Sequence, residues 1–235
     1  MSRFLVTSVV CLVSCDFYEP TPPREPSLEY SVLVATQRMH ERYAGALAME
    51  DALARGDLDG ARVYARVLDV LDEPAILAQW RPYLDDVRVA AHRVALAKSP
   101  DVAADATAAV GRACARCHEA MKAHVTFPAT ARPTIDRPRL ATQMTAHHWA
   151  AVRMWEGLIG PSDDRWILGA DGLTAMPSNI LAQAVTSGRD DGDDIARIKL
   201  YATRALATPG QDARAELFGR ILTTCAHCHA ELRDR

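Results

Sequence analysis

Two pentapeptides constrain this 235-residue chain more than anything else in it: Cys114-Ala115-Arg116-Cys117-His118 and, 111 positions later, Cys225-Ala226-His227-Cys228-His229. On a helix, residues i, i+3 and i+4 share one face. Two thiols so placed reach the two vinyl groups on one porphyrin edge while the imidazole that follows rises to the iron. Cys-x-x-Cys-His is for that reason the attachment sequence of c-type haem. From the chain's own Cys and His frequencies, two chance occurrences are expected at only on the order of 10⁻⁵ per sequence. The motifs therefore predict two covalently bound c-type haems.

Other readings of the four cysteines are weaker. A four-Cys zinc site joins its knuckles over tens of residues at most, and Cys117 and Cys225 lie 108 apart. A thioredoxin-like redox pair sits in a βαβ setting, and no strand pattern appears here. Disulfides between i and i+3 on a helix are strained and leave both trailing histidines unexplained. Composition agrees with a helical answer. Hydrophobic residues make up 49% of the chain and aromatics 6%, with Ala and Leu dominant, which points to an all-α protein. Lys plus Arg (27) falls short of Asp plus Glu (30), so a nucleic-acid binder that neutralises phosphates is excluded.

The N-terminus reads as an address. Arg3 gives a positive start, and residues 4–13 are apolar but shorter than the roughly 20 residues a membrane span needs. Residues 1–14 fit a secretory signal peptide. Its close, Leu12-Val13-Ser14-Cys15, resembles the lipobox of bacterial lipoproteins, which implies a lipidated Cys15 and a discarded Cys11. The alternative is an ordinary signal peptide cleaved nearby, with Cys15 incidental. Residues 15–27 contain Glu19-Pro20-Thr21-Pro22-Pro23-Arg24-Glu25-Pro26, an extended, semi-rigid tether. The chain is thus expected to be exported to the periplasmic side and anchored to a bacterial membrane by lipid.

Internal landmarks repeat. Ala35-Thr36-Gln37 recurs as Ala141-Thr142-Gln143, the Ile76-Leu77-Ala78-Gln79 run recurs at 180–183, and the haem motifs follow in the same order. The offsets are nearly equal, which predicts two homologous units, 28–124 and 139–235. The Pro-rich segment 125–138 between them is a stiff, non-helical linker. Each unit reads as four helices. The first is expected at about 28–54, from Asp57 onward, 82–98 and 99–123. The second is expected at about 140–159, a turn-rich segment around 163–175, then 178–186, 190–207 and 211–232. Each haem motif falls on the last helix of its unit.

That position selects a family. Val110-Gly111-Arg112-Ala113 through Cys117-His118 to Met121-Lys122 resembles the final helix of class II cytochromes c, the cytochrome c prime group and its low-spin relatives, which are four-helix bundles. Phe218-Gly219-Arg220 through His229 to Arg233 is similar, and both runs carry a basic residue four positions after the motif histidine (Lys122, Arg233). The resemblance implies two tandem four-helix-bundle units. It also implies thioethers from Cys114 and Cys117 with His118 as proximal ligand, and from Cys225 and Cys228 with His229.

The family's variable sixth ligand lies on the first helix of the bundle. Here that helix offers His40 and His147, which nearly coincide after a shift of 107, with Met39 and Met144 as alternatives. Bis-His ligation gives a lower potential than His/Met. The tryptophans are expected in the core or along haem edges, and His92 and His124 at the surface. The run Asp190-Asp191-Gly192-Asp193-Asp194 lacks calcium-loop spacing and reads as a charged helix start. The function expected is a one-electron carrier rather than an enzyme. Alternatives are a five-coordinate gas-binding or sensing protein, or a small peroxidase-like enzyme in which His148 or Glu156 would act as acid–base group. Loss of Arg3 with the leader takes the formal charge from −3 to −4, which favours redox partners with a basic docking face.

Overall fold

Side-chain caps set four of the helix starts. Ser27, Asp57, Ser99 and Ser162 each accept the backbone N–H three residues on, at 3.3, 2.9, 3.4 and 3.3 Å, satisfying donors a helix N-terminus leaves orphaned. They open α1 (Leu28–Ala54), α2 (Leu58–Asp69), α4 (Pro100–Ala120) and α6 (Asp163–Thr174). A short 3₁₀ turn (Ala78–Trp80) leads into α3 (Arg81–Ala95), which carries Pro82 in its first turn. The remaining helices are α5 (Leu140–Ile159), α7 (Gly192–Ala205) and α8 (Gln211–Arg233).

This computed structural model describes residues 27–70, 78–134, 140–176 and 192–233, and among them the fold is all-helical without strands. The leader, Cys15, nearly all of the tether and the helix expected at 178–186 lie outside the described residues. No described helix is long and apolar enough to cross a membrane. Two boundaries move inward: α3 stops at Ala95, and α4 at Ala120, beyond which Lys122 turns left-handed (φ 50°). The segment expected to be turn-rich, around 163–175, is instead the 12-residue α6. The Ser162 cap starts it, and Trp166, Ala170 and Leu173, spaced i, i+4 and i+7 and all fully buried, hold it against the core.

Within each half, consecutive helices are neighbours, from α1 to α4 and from α5 to α8. The halves are also joined along their last helices. Asp101 on α4 meets His227 on α8 at 3.0 Å while Arg112 meets Asp212 at 3.5 Å, so α4 and α8 run antiparallel. Gly219 on α8 faces Ala104 and Ala108 of α4, small residues that permit that close approach, whereas Gly111 on α4 makes room for α5. A Cβ on Gly111 would come within 2.7 Å of the Trp155 ring.

The linker is strapped down. Arg165 donates to the Phe127 and Pro128 carbonyls at 2.9 and 3.3 Å, Trp149 Nε1 to the Thr130 carbonyl at 3.3 Å, and Arg153 to the Thr130 hydroxyl. Residues 123–134 are non-helical, as expected of a Pro-rich segment, and lie against α5 and α6.

Candidate functional site

The helix ends give the internal register of the repeat. α1 and α5 finish at Ala54 and Ile159, and the caps Asp57 and Ser162 follow, both pairs offset by 105. Met49 and Leu53 then match Met154 and Leu158, all four fully buried. In this register His147 aligns with Arg42, Met144 with Met39, and Thr145 with His40. His147 is buried and His40 is exposed. Two positions correspond to about 200° around a helix, so the shift of 107 that pairs the two histidines by identity sets them on different faces.

The motif histidines take up matching positions. His229 Nδ1 donates to the carbonyl oxygen of Ala54 at 2.6 Å, and His118 Nδ1 to that of Ile159 at 2.9 Å. Each acceptor is the final residue of the other half's first helix. Carbonyls there have no partner within their helix and carry the negative end of its dipole. Facing an oxygen, Nδ1 carries the proton, and Nε2 is the ring nitrogen left with a free lone pair. Burial lowers the His118 pKa, and its bond to Ile159 partly offsets this.

Gly56 makes the approach at the second motif possible. Its φ of +73° suits glycine, and a Cβ there would sit 2.5 Å from the backbone nitrogen of Ala230. Two further links cross between halves at equivalent positions. The Tyr43 hydroxyl donates to Glu156 at 3.3 Å, and His148 Nε2 meets Asp51 at 3.0 Å.

A cleft of about 770 Å³ opens beside the second motif, within the range of cofactor sites. Cys225 and His229 form one wall, Met144, Thr145, His147, His148 and Ala151 of α5 another, and Asp51, Ala54 and Arg55 of α1 the edge. His147 Nε2 lies 3.9 Å from Cys225 Sγ. Burial pushes the His147 pKa down to about 4, with His229 and His148 adding to the effect. At the first motif, Arg42 of α1 is the charged group beside both Cys114 and Cys117, and Met39 is half-buried one turn before Tyr43.

Burial holds three of the four thiols in their protonated form. Burial pushes Cys114 up to about 12 and raises Cys117 and Cys225 as well. Protonated thiols are poor nucleophiles, the opposite of a redox-active Cys-x-x-Cys pair, and none of the four is in a disulfide. The motifs sit toward opposite ends of the antiparallel α4–α8 pair. From the helical rise, Cys114 and Cys225 are separated along its axis by on the order of 18 Å, too far to share one ion. Among the described residues, no group of three or more His, Cys, Asp or Glu is arranged to hold a bare metal ion.

The second motif has the features a c-type haem requires, and the first shares its thiols and its Nδ1-bonded imidazole. Adjacent thiols, an imidazole fixed through Nδ1 and, at the second motif, a cleft of suitable volume occur together. Of the other residues singled out by sequence, Trp149, Trp155 and Trp166 are buried in the core, and His92 pairs with Asp69 at 2.8 Å. Glu156 is 2% exposed and held between Arg153 (2.7 Å) and Arg165 (3.1 Å). The Ala54 and Ile159 carbonyls have no sequence signature, because every residue carries one. Arg42 carries no motif and was legible only through a register set by the helix ends. The chain matches no protein-family model, no curated protein and no solved structure.

Proposed function

We propose that this protein is an exported dihaem c-type cytochrome, tethered to a bacterial membrane through Cys15, that carries single electrons between redox proteins. One haem is held by Cys114, Cys117 and His118, the other by Cys225, Cys228 and His229. The observation that carries the reading is the paired Nδ1-to-carbonyl bond at both motif histidines, the outer-shell contact by which a ligating imidazole is oriented and made more basic. Bound there, a haem supplies reversible one-electron chemistry.

The protein's own part is to orient two imidazoles, wall off the macrocycle and present a sixth ligand from α1 or α5. At the second site His147 is the distal ligand, with Met144 as the alternative. At the first site the exposure of His40 favours Met39. The two halves are read as duplicated class II cytochrome units, each four-helix bundle lending the end of its first helix to the other's haem. The formal charge of −4 and the haem propionates suit partners with a basic docking face.

One observation favours a second reading for the first site. Arg42 stands where α5 has His147, so an iron there without Met39 is open to small gases or peroxide. The deciding experiment is mass analysis of exported protein together with spectra of the reduced form with and without carbon monoxide. Two added haem masses and low-spin bands indifferent to carbon monoxide support the carrier; bare polypeptide overturns it.

A further inference from the structure

The two sites share a backbone plan and differ in charge. Glu50 lies one turn before Ala54 on α1, is 1% exposed, and its Oε2 has no hydrogen-bond partner among the described residues. It is close enough to Cys225 for its charge to act on that sulfur. At the equivalent position of the other half stands Trp155, fully buried and stacked on Phe218 with ring centroids 5.4 Å apart. The first motif's thiols have the Arg42 guanidinium beside them instead.

A carboxyl taken out of water with no cation against it favours its neutral form. Desolvation, then repulsion from Asp51, hold Glu50 up to about 8, with Arg55 pulling the other way. Its neighbourhood is otherwise acidic or neutral. Tyr43 and Asp51 share its helix, and α8 brings Cys225, near which Asp194 of α7 stands, itself paired with Arg197 at 3.0 Å. From α5, His147 faces Cys225 and His148 faces Asp51. Asp51 and Ala54, on the same helix as Glu50, line the cleft.

Resting on the haem reading, we propose that Glu50 is the proton-binding group of the second haem site, so that, at a pH where its carboxyl is ionised, an electron arriving there draws one proton from water onto the Glu50 carboxylate, while the first site, beside Arg42, gains its electron without that proton. The electron comes from the protein's one-electron donor. The single bond formed is the carboxyl O–H, and no protein bond breaks. Positive charge stabilises an added electron and negative charge opposes it. The first couple is therefore the higher of the two and the second responds to pH, which directs electrons from the second site to the first.

The test uses the full exported protein, with haem content fixed first by mass. Each couple is then titrated potentiometrically between pH 5 and 10. One couple is expected to fall with pH, reaching at most about 59 mV per unit, since one unit is a tenfold change in proton activity for a one-electron couple. Glu50→Gln flattens that couple and leaves the other in place, and Arg42→Gln lowers only the other. In the unaltered protein, redox-difference infrared spectra show a protonated-carboxyl band on reduction that Glu50→Gln removes. A slope that survives Glu50→Gln belongs to the propionates and overturns the inference, as do two pH-independent couples or a missing band. A protein without haem overturns the proposed function, and this inference with it.

Discussion

His229 Nδ1 lies 2.6 Å from the carbonyl oxygen of Ala54, a residue 175 positions upstream in the other half of the chain. His118 makes the equivalent bond, at 2.9 Å, to Ile159 in the half that follows it. The two motifs are thus completed reciprocally, each by the end of a helix from the opposite repeat. Damage at one helix end is therefore expected to act on the motif of the other half.

Gly56→Val tests that contact. The left-handed backbone alone costs about 1–2 kcal/mol, and the Cβ meets Ala230 N at 2.5 Å. The urea midpoint is expected to fall with little change in slope. Haem loading of the exported variant is expected to drop at Cys225 and Cys228 and to persist at Cys114 and Cys117, as read by peptide mass.

Glu156→Ala leaves Arg153, with a side chain only 5% exposed, buried without its carboxylate. Removing one partner of a buried pair costs about 3–5 kcal/mol. For a chain of this size the melting temperature is expected to fall by roughly 10 °C. Glu156→Gln, whose amide oxygen still accepts from Arg153 and Tyr43 while its amide nitrogen sets a donor against Arg165, is expected to fall less than Glu156→Ala.

His147 gives an acid limb to stability in the haem-free chain. Its folded pKa of about 4 lies below the unfolded value of 6.5, so the unfolded state binds more protons between those limits. Stability is full above pH 6.5 and declines as pH falls toward 4, by on the order of 3 kcal/mol. His147→Phe is expected to flatten that limb in denaturant titrations run at pH 4.5 and 7.

Ligand variants separate the two irons. Carbon monoxide is expected to leave the reduced parent's spectrum unchanged. His147→Ala makes one haem reactive toward it, Met39→Ala makes the other so, and the double variant takes up two equivalents per chain.

Docking is expected to be electrostatic. With the acidic surface of the mature chain set against a basic partner, the electron-transfer rate falls as salt rises from 10 mM to 0.5 M. A stopped-flow series with a basic and an acidic acceptor checks this: only the first is slowed.

Much of the local structure was legible in residue order. Asp57 and Ser99 announce helix starts because their side chains bond to nearby backbone, an interaction spanning three residues. Cys-x-x-Cys-His declares its chemistry because helical spacing alone brings those side chains to one face. The segment at 163–175 misled because its turn-forming residues are local, while the burial of Trp166 and Leu173 that makes it helical depends on distant chain.

The sequence by itself determined that the chain is helical and that two Cys-x-x-Cys-His motifs stand 111 positions apart, each with its thiols and imidazole spaced for one helix face. Only the tertiary structure decided that the halves interlock, that Ala54 and Ile159 hold the motif histidines, and that His147 is buried while His40 faces solvent. The physical reason is that a backbone carbonyl is the same at every position. Which one meets an imidazole, and which face of α1 or α5 turns inward, is fixed by how α4 and α8 pack across the whole chain.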